Sequence, residues 1–251
     1  GIGRFLYTPI LPSMIADLDL SKTQAGWIAS ANYVGYLVGA LAASSPKLYG
    51  SRRLWMIGGL FLGSLTTAAI GLVFDLVMFM GFRFIGGIAS AFAFVYSSTL
   101  VVDQLIRMGR AELSAIHFGG VGLGITLSAL IVYGAALYGL DWSWQWIVGG
   151  ITSLLIAILV SQLVPEQSQS RVVYKTDKKS PVLITLIAAY GLFGFGYIIT
   201  ATFLMTIVRD TDGIQQLEPV IWLVVGLAGF PSVAVWMWVS RRIGVLKTFS
   251  V

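Results

Sequence analysis

Between Leu54 and Val102 the chain runs for 49 residues with only two charged side chains, Asp75 and Arg83. At about 1.5 Å rise per residue, that run is roughly twice as long as one helix needs to cross a bilayer. It must therefore fold back on itself, and Asp75 is the natural hinge. The rest of the chain is of the same character: 57% of residues are apolar and 11% charged. A soluble domain carries about a quarter charged residues, so much of this apolar surface must face lipid. The fold class that follows is an all-α membrane protein, because the alternating ~10-residue segments of a membrane barrel are absent.

Runs of about 20 apolar residues, the length of a helical span, occupy Ala25–Ser44, Leu54–Phe74, Leu76–Val102, Ser114–Leu137, Trp144–Leu163, Val182–Val208 and Pro219–Val239. Ahead of them lies the short apolar stretch Gly1–Ile15, which reads as the second half of a truncated first helix rather than a signal peptide. Eight spans are expected. Twelve of the sixteen Lys and Arg then fall on one side: Lys47, Arg52, Arg53, Arg107, Arg110, Arg171, Lys175, Lys178, Lys179, Arg241, Arg242 and Lys247. Only Lys22 and Arg209 occupy the opposite loops, which are acidic instead (Asp17, Asp19, Asp75, Asp141, Asp210, Asp212, Glu218). The positive-inside rule places the twelve, and the N-terminus, in the cytoplasm. The pI near 9.5 thus reflects orientation, and no nucleic-acid partner is expected.

Between the sixth and seventh spans lies the longest polar stretch, Pro165–Ser180, rich in Gln, Ser and Lys. It reads as a cytoplasmic linker (165–180) between a six-helix half (1–164) and the start of a second half (181–251). The order of features repeats across it: Gly1-Ile-Gly3 and Gly194-Phe-Gly196, Trp27 and Trp222, Ser51-Arg-Arg-Leu54 and Ser240-Arg-Arg-Ile243. A parallel six-helix repeat accounts for that shared order. It matches Ile243 with Leu54, so the sequence is read as a fragment that stops as a ninth of twelve spans would begin.

Six helices, a basic linker and six more is the layout of the major facilitator superfamily (MFS). The segment Gly1-Ile-Gly-Arg-Phe-Leu-Tyr-Thr-Pro-Ile-Leu-Pro12 resembles the first helix of its YbfB/YjiJ-like bacterial branch. Trp27 to Ala43 and Arg83-Phe-Ile-Gly-Gly-Ile-Ala-Ser90 extend the resemblance, and Arg83 with Gly87 resembles the superfamily's R-x-x-x-G motif in span 4. Of the loop motif after span 2, Gly50, Arg52 and Arg53 remain as the gating loop, while Lys47 stands where the family's aspartate belongs. The resemblance implies a bacterial inner-membrane secondary transporter, an MFS-type helical bundle working by alternating access, with no enzymatic activity and no cofactor. It also implies that spans 1, 4 and 7 surround a central cavity.

Arg4 and Arg83 are the strongest local signals, because a guanidinium deep in a membrane helix costs at least about 2.5–3.5 kcal/mol and should face a cavity or a partner. Helical spacing places Gly87, Ser90, Phe94 and Ser97 in line with Arg83, and Tyr7, Thr8 and Leu11 in line with Arg4. On the implied cavity, span 7 contributes Tyr190, Phe193, Tyr197 and Thr200. Two arginines among hydroxyls and rings suit an organic anion, which arginine clamps bidentately. The competing readings are an arginine bonded to a helix C-terminus or to an acid in the expected spans 9–12. The substrate-binding candidates are Arg4, Tyr7, Thr8, Arg83, Ser90, Phe94, Tyr190, Tyr197 and Thr200. His117, about one turn into span 5, is a candidate for proton coupling, against the blander role of a packing residue. Other readings of the scaffold are efflux of a non-anionic solute and a non-transporting sensor or receptor.

Small residues recur at every fourth position: Gly35, Gly39, Ala43; Gly59, Gly63, Thr67, Gly71; and Gly120, Gly124, Ser128. These stripes are expected to let helices approach closely in lipid. Pro9 and Pro12 should bend span 1, and Trp142, Trp144 and Trp146 are expected as an interfacial belt. With no cysteine and one histidine, neither a metal cluster nor a thiol site can be assembled.

Overall fold

The computed structural model of the protein describes residues 2–45, 48–166, 181–244 and 247–248. Its helices are α1 (Ile2–Phe5), α2 (Tyr7–Leu18), α3 (Lys22–Ser44), α4 (Arg52–Ile70), α5 (Leu76–Arg107), α6 (Ser114–Leu137), α7 (Trp142–Leu163), α8 (Pro181–Asp210) and α9 (Glu218–Ile243). The long apolar run does fold back where expected: α4 ends at Ile70, and the Asp75 carboxylate caps α5 by accepting from Val77 and Met78 N–H. Ser21, Ser51 and Asp141 cap α3, α4 and α7 in the same way, each satisfying N–H groups that a helix start leaves open. α5 runs to Arg107, five residues past the expected end, so Asp103 lies within it.

Among the described residues six helices, α4 to α9, are long and apolar enough to cross a membrane. The expected first span is divided at Leu6 into α1 and α2. Pro9 and Pro12 have no N–H to offer the carbonyls of Phe5 and Thr8, while Leu6 itself keeps helical dihedrals (φ −62°, ψ −30°). α3 is 23 residues long, but Lys22, Gln24 and Asn32 and its many Ala, Gly and Ser residues make it less apolar than its neighbours.

Packing follows the small residues, and in one helix it differs from expectation. α3 lies directly on α5: a Cβ on Gly35 would sit 2.1 Å from the Phe84 carbonyl oxygen, and one on Gly87 2.2 Å from that of Asn32. α4 meets α5 through Gly59, and α7 through Gly150 against Ala68. α6 meets α9 through Gly119, Gly122 and Thr126 against Phe230 and Gly226, not through Gly120, where an added Cβ would meet open space. Two four-residue stripes run side by side on α6, and spacing alone does not distinguish them. Ser128 does belong to the packed face: its Oγ accepts from Trp222 Nε1 at 3.0 Å.

The largest core cluster joins α1, α2, α3, α5 and α7 around Leu6, Tyr7, Ile10, Met14, Ile28, Phe79, Trp142 and Trp146. The expected tryptophan belt is thereby corrected. Trp146 is 0% exposed and Trp142 is buried, and only Trp144 is exposed. Trp146 Nε1 contacts Met14 Sδ at 3.4 Å. The two tryptophans that the expected repeat pairs also differ, Trp27 being exposed and Trp222 buried.

The two ends of the bundle differ in charge. One end gathers Arg52, Arg53, Arg107, Arg110, Arg241 and Arg242. The other gathers Asp17, Asp19, Asp75, Asp141, Asp210, Asp212 and Glu218. We call these the basic and acidic ends. Gly1, Lys47 and residues 167–180 of the expected linker lie outside the described residues.

Candidate functional site

Arg83 sits two turns into α5, held where α3 and α5 touch. Gly87, one turn further, lets the α3 backbone approach, and Asn32 Nδ2 then donates to the Arg83 carbonyl at 2.8 Å. Arg83 as a whole is 3% exposed. Its Nη1 donates to the Gly3 carbonyl at 3.0 Å, and its Cζ lies 4.8 Å from the Tyr7 ring centre and 5.7 Å from that of Trp146. Cation–π contacts of this kind are worth most when desolvated. Neither Arg83 nor Arg4 has a carboxylate partner among the described residues. Arg83 Nε and Asn32 Oδ1 are both buried without a hydrogen-bond partner, which is costly in a low-dielectric interior.

Arg4, on the last turn of α1, lies against three rings: Tyr33 at 5.1 Å, Tyr36 at 5.2 Å and Phe5 at 5.8 Å. Both arginines line a cavity of ≈ 280 Å³ whose wall mixes glycine and hydroxyl residues of α4 to α7 with apolar side chains such as Leu60, Ile70, Phe82 and Leu127. Most of those hydroxyls already donate to their own helices: Ser64 to Leu60, Thr66 to Leu62, Thr67 to Gly63 and Ser153 to Gly149. Ser90 lines the same cavity with its hydroxyl unpaired among the described residues. The unspent donors here are the Arg4 guanidinium, Arg83 Nε and the Ser90 hydroxyl.

The structure thus brings Arg4, Arg83 and Ser90 together. Tyr7 lies behind the wall, buried, its hydroxyl donating to the Ala25 carbonyl at 2.7 Å. Thr8 faces α8 and donates to the Ala201 carbonyl. Phe94 stacks on His117 with ring centres 6.3 Å apart, and His117 Nε2 shares a hydrogen bond with Ser98 Oγ at 3.1 Å. Tyr190, Tyr197 and Thr200 lie on the exposed part of α8 and do not reach this cavity, nor does Phe193. Sequence reasoning passed over Asn32, Tyr33, Tyr36 and Trp146. A polar Asn amid the apolar run of α3 was the one signal that could have marked the first of them.

In the loop after α3, Gly50 has φ 118°, a region that favours glycine. Arg52 Nη1 pairs with Asp103 at 2.9 Å. Arg53 forks across the end of α7, donating to the Ser161 and Val164 carbonyls with Glu166 at 3.8 Å. Unpaired carbonyls at a helix C-terminus are a natural seat for a guanidinium.

Comparison with known proteins gives a consistent result. The family described as "Uncharacterised MFS-type transporter YbfB" matches residues 1–251. The niacin transporter NiaP of Acinetobacter baylyi is 25% identical over 66% of this chain and 36% of its own length. The 3-(3-hydroxy-phenyl)propionate transporter of Escherichia coli is 29% identical over 67% of this chain and 41% of its own. The MFS-type transporter YceJ of Bacillus subtilis is 23% identical over 99% of this chain and 65% of its own. The chain therefore spans between about one third and two thirds of these relatives. The crystal structure of the nucleoside transporter NupG (D323A mutant) has the same fold, with a TM-score of 0.61 over 97% of this chain and 67% of that one, at 15% identity.

Proposed function

The chain belongs to the YbfB family of MFS-type transporters, and we propose that it serves the transport of a small organic anion, an aromatic monocarboxylate fitting best, by alternating access. The observation that carries this reading is Arg83. It is a buried guanidinium with no carboxylate among the described residues, its Nε lacks an acceptor, and it lies on a cavity shared with Arg4. A carboxylate would supply the missing acceptors and the missing charge, and arginine binds it through two parallel N–H···O bonds. Glycine-rich walls leave a planar ring room beside the clamp. Niacin and 3-(3-hydroxyphenyl)propionate, named in two relatives, are both aromatic monocarboxylates.

In this reading α1–α2 and α3 cross the membrane along with α4–α9, and the basic end faces the cytoplasm of a bacterial inner membrane. The linker 165–180 joins two six-helix halves that rock against each other. His117 is the candidate for proton coupling.

A thermal-shift panel in detergent tests the anion reading. Niacin and 3-(3-hydroxyphenyl)propionate should stabilise the protein, and nicotinamide, the same ring without a carboxylate, should not. Arg83→Lys keeps the charge and loses the fork, and should weaken carboxylate binding at least about tenfold. Equal binding of nicotinamide, or unchanged carboxylate affinity in Arg83→Lys, would overturn it.

A further inference from the structure

Near the acidic end α8 is joined to the first helices. From Ile184 to Thr200 its side chains are almost all exposed, whereas Thr202, Met205, Thr206 and Val208 are buried. Three polar contacts cross that junction: Thr8 Oγ1 donates to the Ala201 carbonyl at 3.1 Å, Tyr33 Oη and Thr202 Oγ1 share a hydrogen bond at 3.1 Å, and Lys22 Nζ pairs with Asp210 at 2.8 Å. The last is largely exposed, and such pairs contribute little. The holding contacts are the two inner ones.

Tyr33 belongs to the junction and touches Arg4, which lines the cavity. Its hydroxyl bonds Thr202 on α8, and its ring carries the Arg4 guanidinium at 5.1 Å. Arg4 lines the cavity and has no hydrogen-bond acceptor among the described residues. We infer that Tyr33 is the positioning residue that couples filling of the cavity to release of α8 at the acidic end. The inference rests on the anion reading above. A carboxylate in the cavity offers Arg4 a charge-assisted, two-bond contact, which is stronger than a ring face. Drawn to the anion, the guanidinium leaves the Tyr33 ring. The ring then loses the neighbour that orients it, and its bond to Thr202 is the first interior tie to loosen. Two discrete arrangements of one side chain thus serve both sites, which is the physical requirement for coupling.

The chain contains no cysteine, so Thr23→Cys and Asp212→Cys give a unique pair of spin-label sites across this junction, both exposed. In the empty protein in nanodiscs, Tyr33→Phe and Thr202→Val should each raise the population of long label distances about fivefold, the effect of one ordinary hydrogen bond. The double variant should do no more than either single one. Niacin or 3-(3-hydroxyphenyl)propionate should produce the same lengthening in the unmodified background and no further change in Tyr33→Phe, which retains the ring. Unchanged distances in the single variants, or additive effects in the double one, would overturn the junction. Carboxylate binding without any change in distance would overturn the coupling. If the carboxylates fail to bind at all, the anion reading falls and the coupling with it, while the empty-protein comparison still decides whether Tyr33 and Thr202 hold α8.

Discussion

The guanidinium carbon of Arg83 lies 4.8 Å from the centre of the Tyr7 ring. Because the Tyr7 hydroxyl donates at 2.7 Å to the Ala25 carbonyl, this one side chain ties α2 to α3 and supports the buried cation of α5. The two roles separate by substitution. Tyr7→Phe keeps the ring under Arg83 and loses one hydrogen bond, so it should cost about 1 kcal/mol of stability. Tyr7→Leu loses the ring as well and should cost roughly 2 kcal/mol more, the value of a desolvated cation–π contact. Thermal melts of the two variants check the order. Equal losses would show that the ring contributes nothing to Arg83.

Close helix approach makes the glycines unequal. Gly87→Ala would put a Cβ 2.2 Å from the Asn32 carbonyl oxygen, and Gly35→Ala one 2.1 Å from that of Phe84. Both obstacles are backbone, so α3 and α5 must separate, and each change should cost about 1–3 kcal/mol or more. Gly58 and Gly81 face open space in α4 and α5. Their change to Ala should be neutral or stabilising by up to about 1 kcal/mol. Expression level and melting temperature of the four variants check the contrast.

Arg53 closes the C-terminus of α7 with two N–H groups of one planar fork. Lysine has the charge but not the geometry, so Arg53→Lys should recover only part of the roughly 1–3 kcal/mol that Arg53→Ala loses. Full recovery by lysine would show that the dipole interaction alone matters. Chemical denaturation in detergent distinguishes the outcomes.

The orientation of the bundle has its own test. Met108 at the basic end and Tyr138 at the acidic end are both well exposed. In intact cells a cysteine at Tyr138 should react with an impermeant thiol reagent, and one at Met108 only after permeabilisation. The reverse pattern would invert the assigned sides.

Much of the helix layout was already legible in the chain. The hinge at Asp75 follows from a bilayer's thickness, whereas caps at Ser21, Ser51 and Asp141 start α3, α4 and α7 two or three residues before the apolar runs begin. The family resemblance was carried by short motifs around Gly3, Arg83 and Gly87, and the match to residues 1–251 agrees with it. Depth within an apolar run marked Arg83 and Arg4 as residues needing partners, which is a matter of solvation cost and needs no coordinates.

The azimuth of each helix was not written there. In a soluble helix the buried face is apolar and the outer face polar, so periodicity shows the core. In a membrane both faces are apolar, and the contrast disappears. Trp146 therefore read as a belt residue although it lies under Arg83, and Gly120 read as a contact although Gly119 and Gly122 make it. Asn32, Tyr33 and Tyr36 are distant in sequence from the arginines they serve. The amino-acid sequence determined that the chain is a set of apolar helices, that the long run turns at Asp75 and that Arg83 lies within α5, while the eight spans it suggested compare with six helices of sufficient length and hydropathy among the described residues. Only the tertiary structure decided which faces meet, because in lipid that choice rests on shape and hydrogen bonding between helices rather than on hydrophobicity.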